Sequence, residues 1–313
     1  MNKDAKIFVA GHRGLVGSAI RKRLEREGFS NIVLREHDEL DLTRQQGVED
    51  FFAREKPDYV FLCAAKVGGI MANSTYPSDF IYQNIMISTN VIHTSYTHGV
   101  KKLLNLGSSC IYPRNAPQPL KEDQLLTGPL EPTNEAYAVA KIAAIKLCRY
   151  YNQQLCTDYI SVMPANLYGP NDNFNLDMSH VLPALIRRFH EAKLSSAPEV
   201  VLWGSGSPRR EFLYVDDLAG ACVFLMANFH AVEIGEFINI GSGSDISIHE
   251  LATLIAGIIG YDGIISWDGS KPDGMPMKLL DVSKINALGW RAEMDLKEGI
   301  EQTYNFYKEM YTA

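Results

Sequence analysis

The chain has 313 residues, 46% of them hydrophobic and 21% charged, a balance that builds one large core or two unequal domains and excludes the disordered and fibrous classes. Its net charge of -7 supplies no global basic field for nucleic acid or an anionic membrane, so an anionic ligand must meet locally placed cations. Five cysteines, Cys63, Cys110, Cys148, Cys156 and Cys222, form an odd set without a Cys-x-x-Cys pair, which excludes a disulfide framework and suggests no metal site.

The first apolar run, at 6–10, reads as a strand and is too short for a signal segment or a membrane span, so a cytoplasmic protein is expected. A helix over 16–27 follows, then strands at 32–34 and 59–64, a long helix over 78–96, a strand at 103–106, a helix over 134–152 and a strand at 159–163. This alternation predicts βαβ units and an α/β, doubly wound parallel sheet of the Rossmann type. Beyond Gly169-Pro170 the rhythm loosens into a polar stretch at 171–179, a helix over 182–192 and a turn at 203–208. Strands at 236–240 and 264–267 flank a helix over 248–259, and 296–311 forms a closing helix. The expected organisation is a dinucleotide-binding domain over 1–170, rejoined by about 211–240, and a smaller α/β substrate domain mainly over 171–313. No repeat or low-complexity linker separates them, so they share an interface.

Gly11, Gly14 and Gly17 lie between the first strand and the first helix, where backbone N–H groups and a helix N-terminus can hold a pyrophosphate that side chains would block. After the second strand, an acidic group suits the ribose hydroxyls of NAD, whereas arginine suits the extra phosphate of NADP. The segment here is Arg35-Glu36-His37, so Arg35, with Arg13 of the turn, is a candidate phosphate ligand through charge-assisted forks. Tyr137 and Lys141 are four apart and share one helix face, but Tyr304 and Lys308 have the same spacing. Ser108 distinguishes the first pair, since it ends a strand at the sheet edge that faces the ligand crevice. An ammonium beside Tyr137 is expected to favour the phenolate.

Together these residues resemble the extended short-chain dehydrogenase/reductases. The resemblance runs almost end to end, through the motifs at 10–14, 64–69, 107–113, 131–135, 163–170 and 271–274. Met163-Pro164 departs from the wider pattern, which has arginine in place of Met163, and is similar to the branch of that family acting on GDP-linked 4-keto-6-deoxy sugars. Members of this branch epimerise both carbons flanking the ketone and reduce it with NADPH. For this chain the resemblance implies catalysis by Ser108, Tyr137 and Lys141, with Cys110 and His180 as the acid/base pair. It implies cofactor contacts from Gly11, His12, Arg13, Gly14, Leu15, Val16, Gly17, Arg35, His37, Leu106, Gly107, Lys141, Pro164, Ala165, Asn166, Leu167 and His180. Arg188, Trp203, Arg210 and Asp273 would hold the GDP-sugar, with Arg210 also able to pair with Glu211 or Asp216, while Arg187 and Arg209 read as solvated. A homodimer through the helices over 78–96 and 134–152 is also implied. The other readings are a GDP-mannose 3,5-epimerase, which returns its hydride, and a non-catalytic NADP sensor.

Overall fold

The computed structural model describes residues 1–176, 179–271 and 273–311; Asp177 and Met178 of the expected polar stretch and Pro272 of the 271–274 motif lie outside the described residues. In chain order the first half consists of β1 (Ile7–Ala10), α1 (Leu15–Arg26), β2 (Ile32–Val33), α2 (Gln45–Glu55), β3 (Tyr59–Leu62), α3 (Ile70–Thr75), α4 (Pro77–Thr97), β4 (Lys102–Leu106), α5 (Glu135–Leu155) and β5 (Tyr159–Pro164). The second half consists of β6 (Asn166–Tyr168), α6 (Val181–Leu194), β7 (Glu199–Trp203), β8 (Arg209–Tyr214), α7 (Val215–Asn228), α8 (Ala231–Ile234), β9 (Ile238–Ile240), β10 (Asp245–Ser247), α9 (Ile248–Ile259), β11 (Ile264–Asp268), β12 (Met277–Lys278), α10 (Ser283–Ala287) and α11 (Leu296–Tyr311).

Six strands form one parallel sheet in the order β2-β1-β3-β4-β5-β9. β1, β4 and β5 are buried along their whole length, as continuous apolar strands covered on both faces must be. Alternate residues feed two cores: Ile7 and Val9 pack with Ile20 of α1 and Leu218 of α7, whereas Phe8 and Ala10 pack with Phe51 and Phe52 of α2 and Val91 of α4. The period of two along β1 thus divides the helices between the two faces. Among the described residues, no helix is long and apolar enough to cross a membrane.

A second core lies under α6, α9 and α11, where Leu185, Phe189, Leu251, Ile255, Ile300 and Tyr307 pack together. Its strands form a β7–β11 parallel pair and a small sheet in which β8 pairs with β6, β10 and β12. The ends of α9 follow local chemistry: Ser247 and Glu250 form a reciprocal N-terminal cap, and Gly260 takes the left-handed conformation that ends the helix. β8 therefore belongs to the small sheet, and the chain rejoins the large sheet's layers only with α7 and β9. Apolar periodicity does not reveal α7, because it is buried around most of its circumference and presents no polar stripe.

The turn between β1 and α1 depends on backbone contact. Gly11 has φ of 81°, and a Cβ on Gly17 would lie 2.2 Å from the Gly11 carbonyl oxygen. Because that neighbour is backbone and cannot swing aside, Gly17→Ala is expected to cost about 1–3 kcal/mol, the range for an overpacked interior. Urea denaturation should show a lowered midpoint; an unchanged midpoint would mean that the turn tolerates a methyl group.

Candidate active site

The glycine turn presents an open helix N-terminus. Gly14 begins α1 without a side-chain cap, and the helix's first turn carries no acidic residue. Leu15 and Val16 start the helix, and Val16 is buried beneath the turn. His12 is nearly buried, its Nδ1 has no hydrogen-bond partner, and burial followed by the Arg13 charge lowers its pKa. The uncapped backbone N–H groups of the helix start and an unpaired buried nitrogen fit a dinucleotide pyrophosphate.

The two arginines expected near the ribose differ in freedom. Arg13 is exposed and pairs with Glu36 at 2.5 Å, in a contact open to solvent. The Arg35 fork is held by Glu55 at 2.6 Å and the Leu34 carbonyl at 2.7 Å, and lies over the Phe51 ring. Arg35 is thereby tied into the protein, whereas Arg13 needs only to exchange a surface carboxylate for a phosphate. His37 is exposed just beyond them.

The side chains expected to be catalytic lie around the end of β4. The Leu106 carbonyl accepts a 2.7 Å hydrogen bond from the buried Lys141 ammonium, which lies 5.7 Å from the centre of the Tyr137 ring. Gly107 continues the strand; a Cβ there would collide with the Met163 thioether, which occupies the place where the wider family has arginine. Ser108 follows, and its Oγ accepts from the Cys110 N–H at 3.4 Å across a short turn. The Ser108 hydroxyl also reaches the Tyr137 phenol, and Phe80 of α4 stacks edge-on against the tyrosine ring. At the neighbouring edge, Pro164 ends β5, Ala165 bonds to the Ile240 carbonyl at 2.9 Å, Asn166 donates to the Glu211 carbonyl at 2.8 Å, and Leu167 is partly buried.

Burial overrides the expected phenolate. Desolvation pushes the Tyr137 phenol upward and the Cys110 charge adds to this, so in the protein by itself Tyr137 stays protonated and ready to donate. Lys141 is pressed down to about 8, chiefly by desolvation, and burial raises the Cys110 thiol, a rise that the charges of Lys278 and Lys141 and the Ser108 hydroxyl only partly offset. His180 caps the start of α6, keeps open surface on one side and is crowded by protein on the other; that crowding, followed by the Lys278 charge, lowers its pKa. Ser108, Cys110, Tyr137 and Lys141 thus form one cluster, joined electrostatically to His180 through Lys278.

The four expected GDP-sugar residues lie on the second unit. Arg188 on α6 has no hydrogen bond or ion pair among the described residues, whereas Arg187 beside it is bound to Glu191 and the Phe174 carbonyl. Trp203 ends β7 half-exposed, with the Lys271 ammonium 5.5 Å from its ring centre. Arg210 pairs with neither Glu211 nor Asp216: it donates to the Arg209 carbonyl, and the nearby charge of Asp273 supports its ionised state against burial. Asp273 accepts both the N–H and the hydroxyl of Ser205, closing the turn after Trp203, so part of its bonding capacity is already used. Tyr304 lies on α11 in the second core, where its hydroxyl meets His190, and the exposed Lys308 lies over its ring. Sequence reasoning missed Lys278 and the buried Glu211; the one signal available was a carboxylate in the otherwise apolar end of β8.

A sequence profile described as the NAD dependent epimerase/dehydratase family matches residues 7–241. The chain belongs to that family. Among its relatives, GDP-L-fucose synthase 1 of Arabidopsis thaliana is 62% identical, with 98% of this chain and 94% of that protein covered. GDP-L-fucose synthase of Escherichia coli is 56% identical, with 97% of each covered. A solved GDP-mannoheptose C4 reductase from Campylobacter jejuni with NADP bound superposes with a TM-score of 0.92 at 41% identity, covering 98% of this chain and 99% of that one.

If Arg13 trades Glu36 for a ribose phosphate, Arg13→Ala should weaken NADPH binding about tenfold or more, the range for a charge-assisted bond, and leave NADH nearly unchanged. Fluorescence titration with both cofactors measures this. Equal losses would remove Arg13 from cofactor discrimination.

Proposed function

We propose that the chain acts as a GDP-L-fucose synthase, epimerising both carbons flanking the ketone of GDP-4-keto-6-deoxymannose and then reducing that ketone with NADPH. The observation that carries this reading is that Cys110 lies within the Ser108, Tyr137 and Lys141 cluster, so the ketone that is reduced is also the one that acidifies its neighbouring C–H bonds. The near-end-to-end identity with synthases from a plant and a bacterium supports the same sugar.

In this reading Ser108 and the protonated Tyr137 donate to the ketone oxygen. Donors aimed at a developing oxyanion are typically worth about a hundredfold to a thousandfold each. With the oxygen so held, a proton leaves the flanking carbon as its electron pair moves into the enolate. Cys110 and His180 take and return protons on opposite faces, each such group contributing roughly a hundredfold to ten-thousandfold. Bound NADPH supplies the hydride. Tyr137 delivers the proton that completes the alcohol, and Lys141, fixed on the Leu106 carbonyl, supports the charge left on the phenol oxygen.

Residues 1–170 with the returning α7 and β9 hold the cofactor in this proposal, and 171–313 mainly the GDP-sugar. Arg188 and Arg210 take the pyrophosphate, with Trp203 and Asp273 beside the guanine or sugar hydroxyls. Two copies pair through α4 and α5, which pack on each other and expose Tyr82, Tyr96, Val139 and Tyr150. The enzyme is assigned to the cytoplasm.

Tyr137→Phe is expected to bind NADPH normally while ketone reduction, followed by loss of cofactor absorbance with the 4-keto sugar, slows by about a hundredfold or more. Near-normal turnover would take Tyr137 out of the mechanism. If wild-type enzyme converted the sugar without net NADPH loss, a hydride-returning epimerase would replace the synthase.

A further inference from the structure

Cys110 stands in the middle of a three-residue helical turn, Ser109–Ile111, that is tied down at both ends. At its start the Ser108 Oγ accepts the Cys110 N–H at 3.4 Å and the Ser108 carbonyl accepts the Ile111 N–H at 3.3 Å. Both bonds are long, and a helix of one turn does not hold itself. At its far end is Tyr112, only 1% exposed, whose hydroxyl donates a 2.6 Å hydrogen bond to Oδ1 of Asn239 on β9. The Tyr112 ring centre lies 6.2 Å from that of Phe237.

Asn239 is fully enclosed, and both polar atoms of its carboxamide are engaged. Oδ1 takes the phenol, while Nδ2 donates to the Leu120 carbonyl at 2.9 Å and to the Asp281 carbonyl at 3.2 Å. Its backbone N–H donates to Glu122 Oε1 at 3.0 Å. With both donors committed, the carboxamide has one orientation, and the oxygen offered to Tyr112 is fixed in place. Burial pushes the phenol upward, so Tyr112 stays protonated and remains the donor.

The partners of Asn239 lead on to the second unit. The Leu120 N–H donates to the Leu279 carbonyl at 2.7 Å, and the Leu120 carbonyl also accepts the Asp281 N–H at 2.8 Å. Between them the Leu280 N–H donates at 2.8 Å to Oε2 of the buried Glu211 on β8, the strand that bears Arg210. One carboxamide thus sets the Cys110 turn in place against both the large sheet and the strand expected to hold the nucleotide.

We propose that Tyr112 is a positioning residue for proton exchange: its hydroxyl, seated on Asn239, holds the turn that presents Cys110 to a carbon flanking the ketone. The proposal rests on the epimerase/reductase reading. Misplacing a reacting group by about 1 Å costs up to about a hundredfold. Lys141 is fixed on the Leu106 carbonyl of β4, and Tyr137 stands on the same helix as Lys141. Loss of the Tyr112 bond therefore loosens the turn of Cys110 and leaves the groups of the hydride step in place.

Tyr112→Phe keeps the ring and removes the bond. Tyr304→Phe, which removes a buried hydroxyl bonded to His190 in the second core, is the control for a merely structural loss. In full-length NADP-bound enzyme, hydrogen exchange over 108–111 should speed about fivefold in Tyr112→Phe and stay unchanged in Tyr304→Phe. Solvent-deuterium uptake into the 4-keto sugar should slow about tenfold in Tyr112→Phe, while single-turnover hydride transfer from GDP-L-fucose to NADP+, which needs no exchange at the flanking carbons, changes about twofold at most. Equal loss of uptake and hydride transfer, unmoved uptake, or unmoved hydrogen exchange over the turn would each overturn the proposal. Should Tyr112→Phe fail to fold, Asn239→Ser, which withdraws the acceptor and keeps the phenol, is read against the same outcomes. If wild type takes up no deuterium, the epimerase reading fails, while the hydrogen exchange still decides whether the Tyr112 bond holds the turn.

Discussion

A buried ammonium bonded to a single carbonyl organises this protein. Among the described residues Lys141 hydrogen-bonds only the Leu106 oxygen, and burial there costs enough to press its pKa down to about 8. Such a contact persists only where the surrounding structure fixes both ends, and here β4 and α5 do so. One bond ties the end of a central strand, from which Ser108 and Cys110 follow, to the helix bearing Tyr137. The parallel sheet carries the Leu106 carbonyl to the edge at which the glycine turn also opens, so the proposed cofactor cradle and catalytic cluster lie along one sheet edge.

The parts of this arrangement that were legible in sequence are local. The glycine spacing, the four-residue step from Tyr137 to Lys141 and the strand end before Ser108 are each written within one element or one turn. Features that depend on distant partners were not legible. Lys278 stands on a two-residue strand that pairs with β8, and no periodicity marks a strand so short. Arg35 read as a phosphate ligand because it follows the second strand, with Glu36 beside it weighing against that reading, yet Glu55 of α2 holds it. Tyr137 was expected as a phenolate because Lys141 stands four residues away; the two do share a helix face, but enclosure of the ring raises the phenol in the protein by itself.

The same crowding that keeps Tyr137 protonated serves both halves of the proposed reaction. A protonated phenol and a serine hydroxyl hold the ketone oxygen while protons come and go at its neighbours, and the phenol then completes the alcohol. Cys110 connects the two halves because it shares its turn with Ser108. The second unit contributes Arg188, unpaired among the described residues, and the enclosed Arg210, cations that the overall negative charge of the chain makes necessary for an anionic substrate.

The central claim is that epimerisation and reduction occur at one ketone in one pocket. Turnover of the 4-keto sugar with NADPH in deuterium oxide tests it most directly, read by mass spectrometry and NMR of the product. The account predicts solvent deuterium at both carbons flanking the reduced centre, hydrogen from NADPH at that centre, and cofactor consumed in equal amount to product. Deuterium uptake without cofactor consumption, or reduction with both flanking carbons undeuterated, would contradict it.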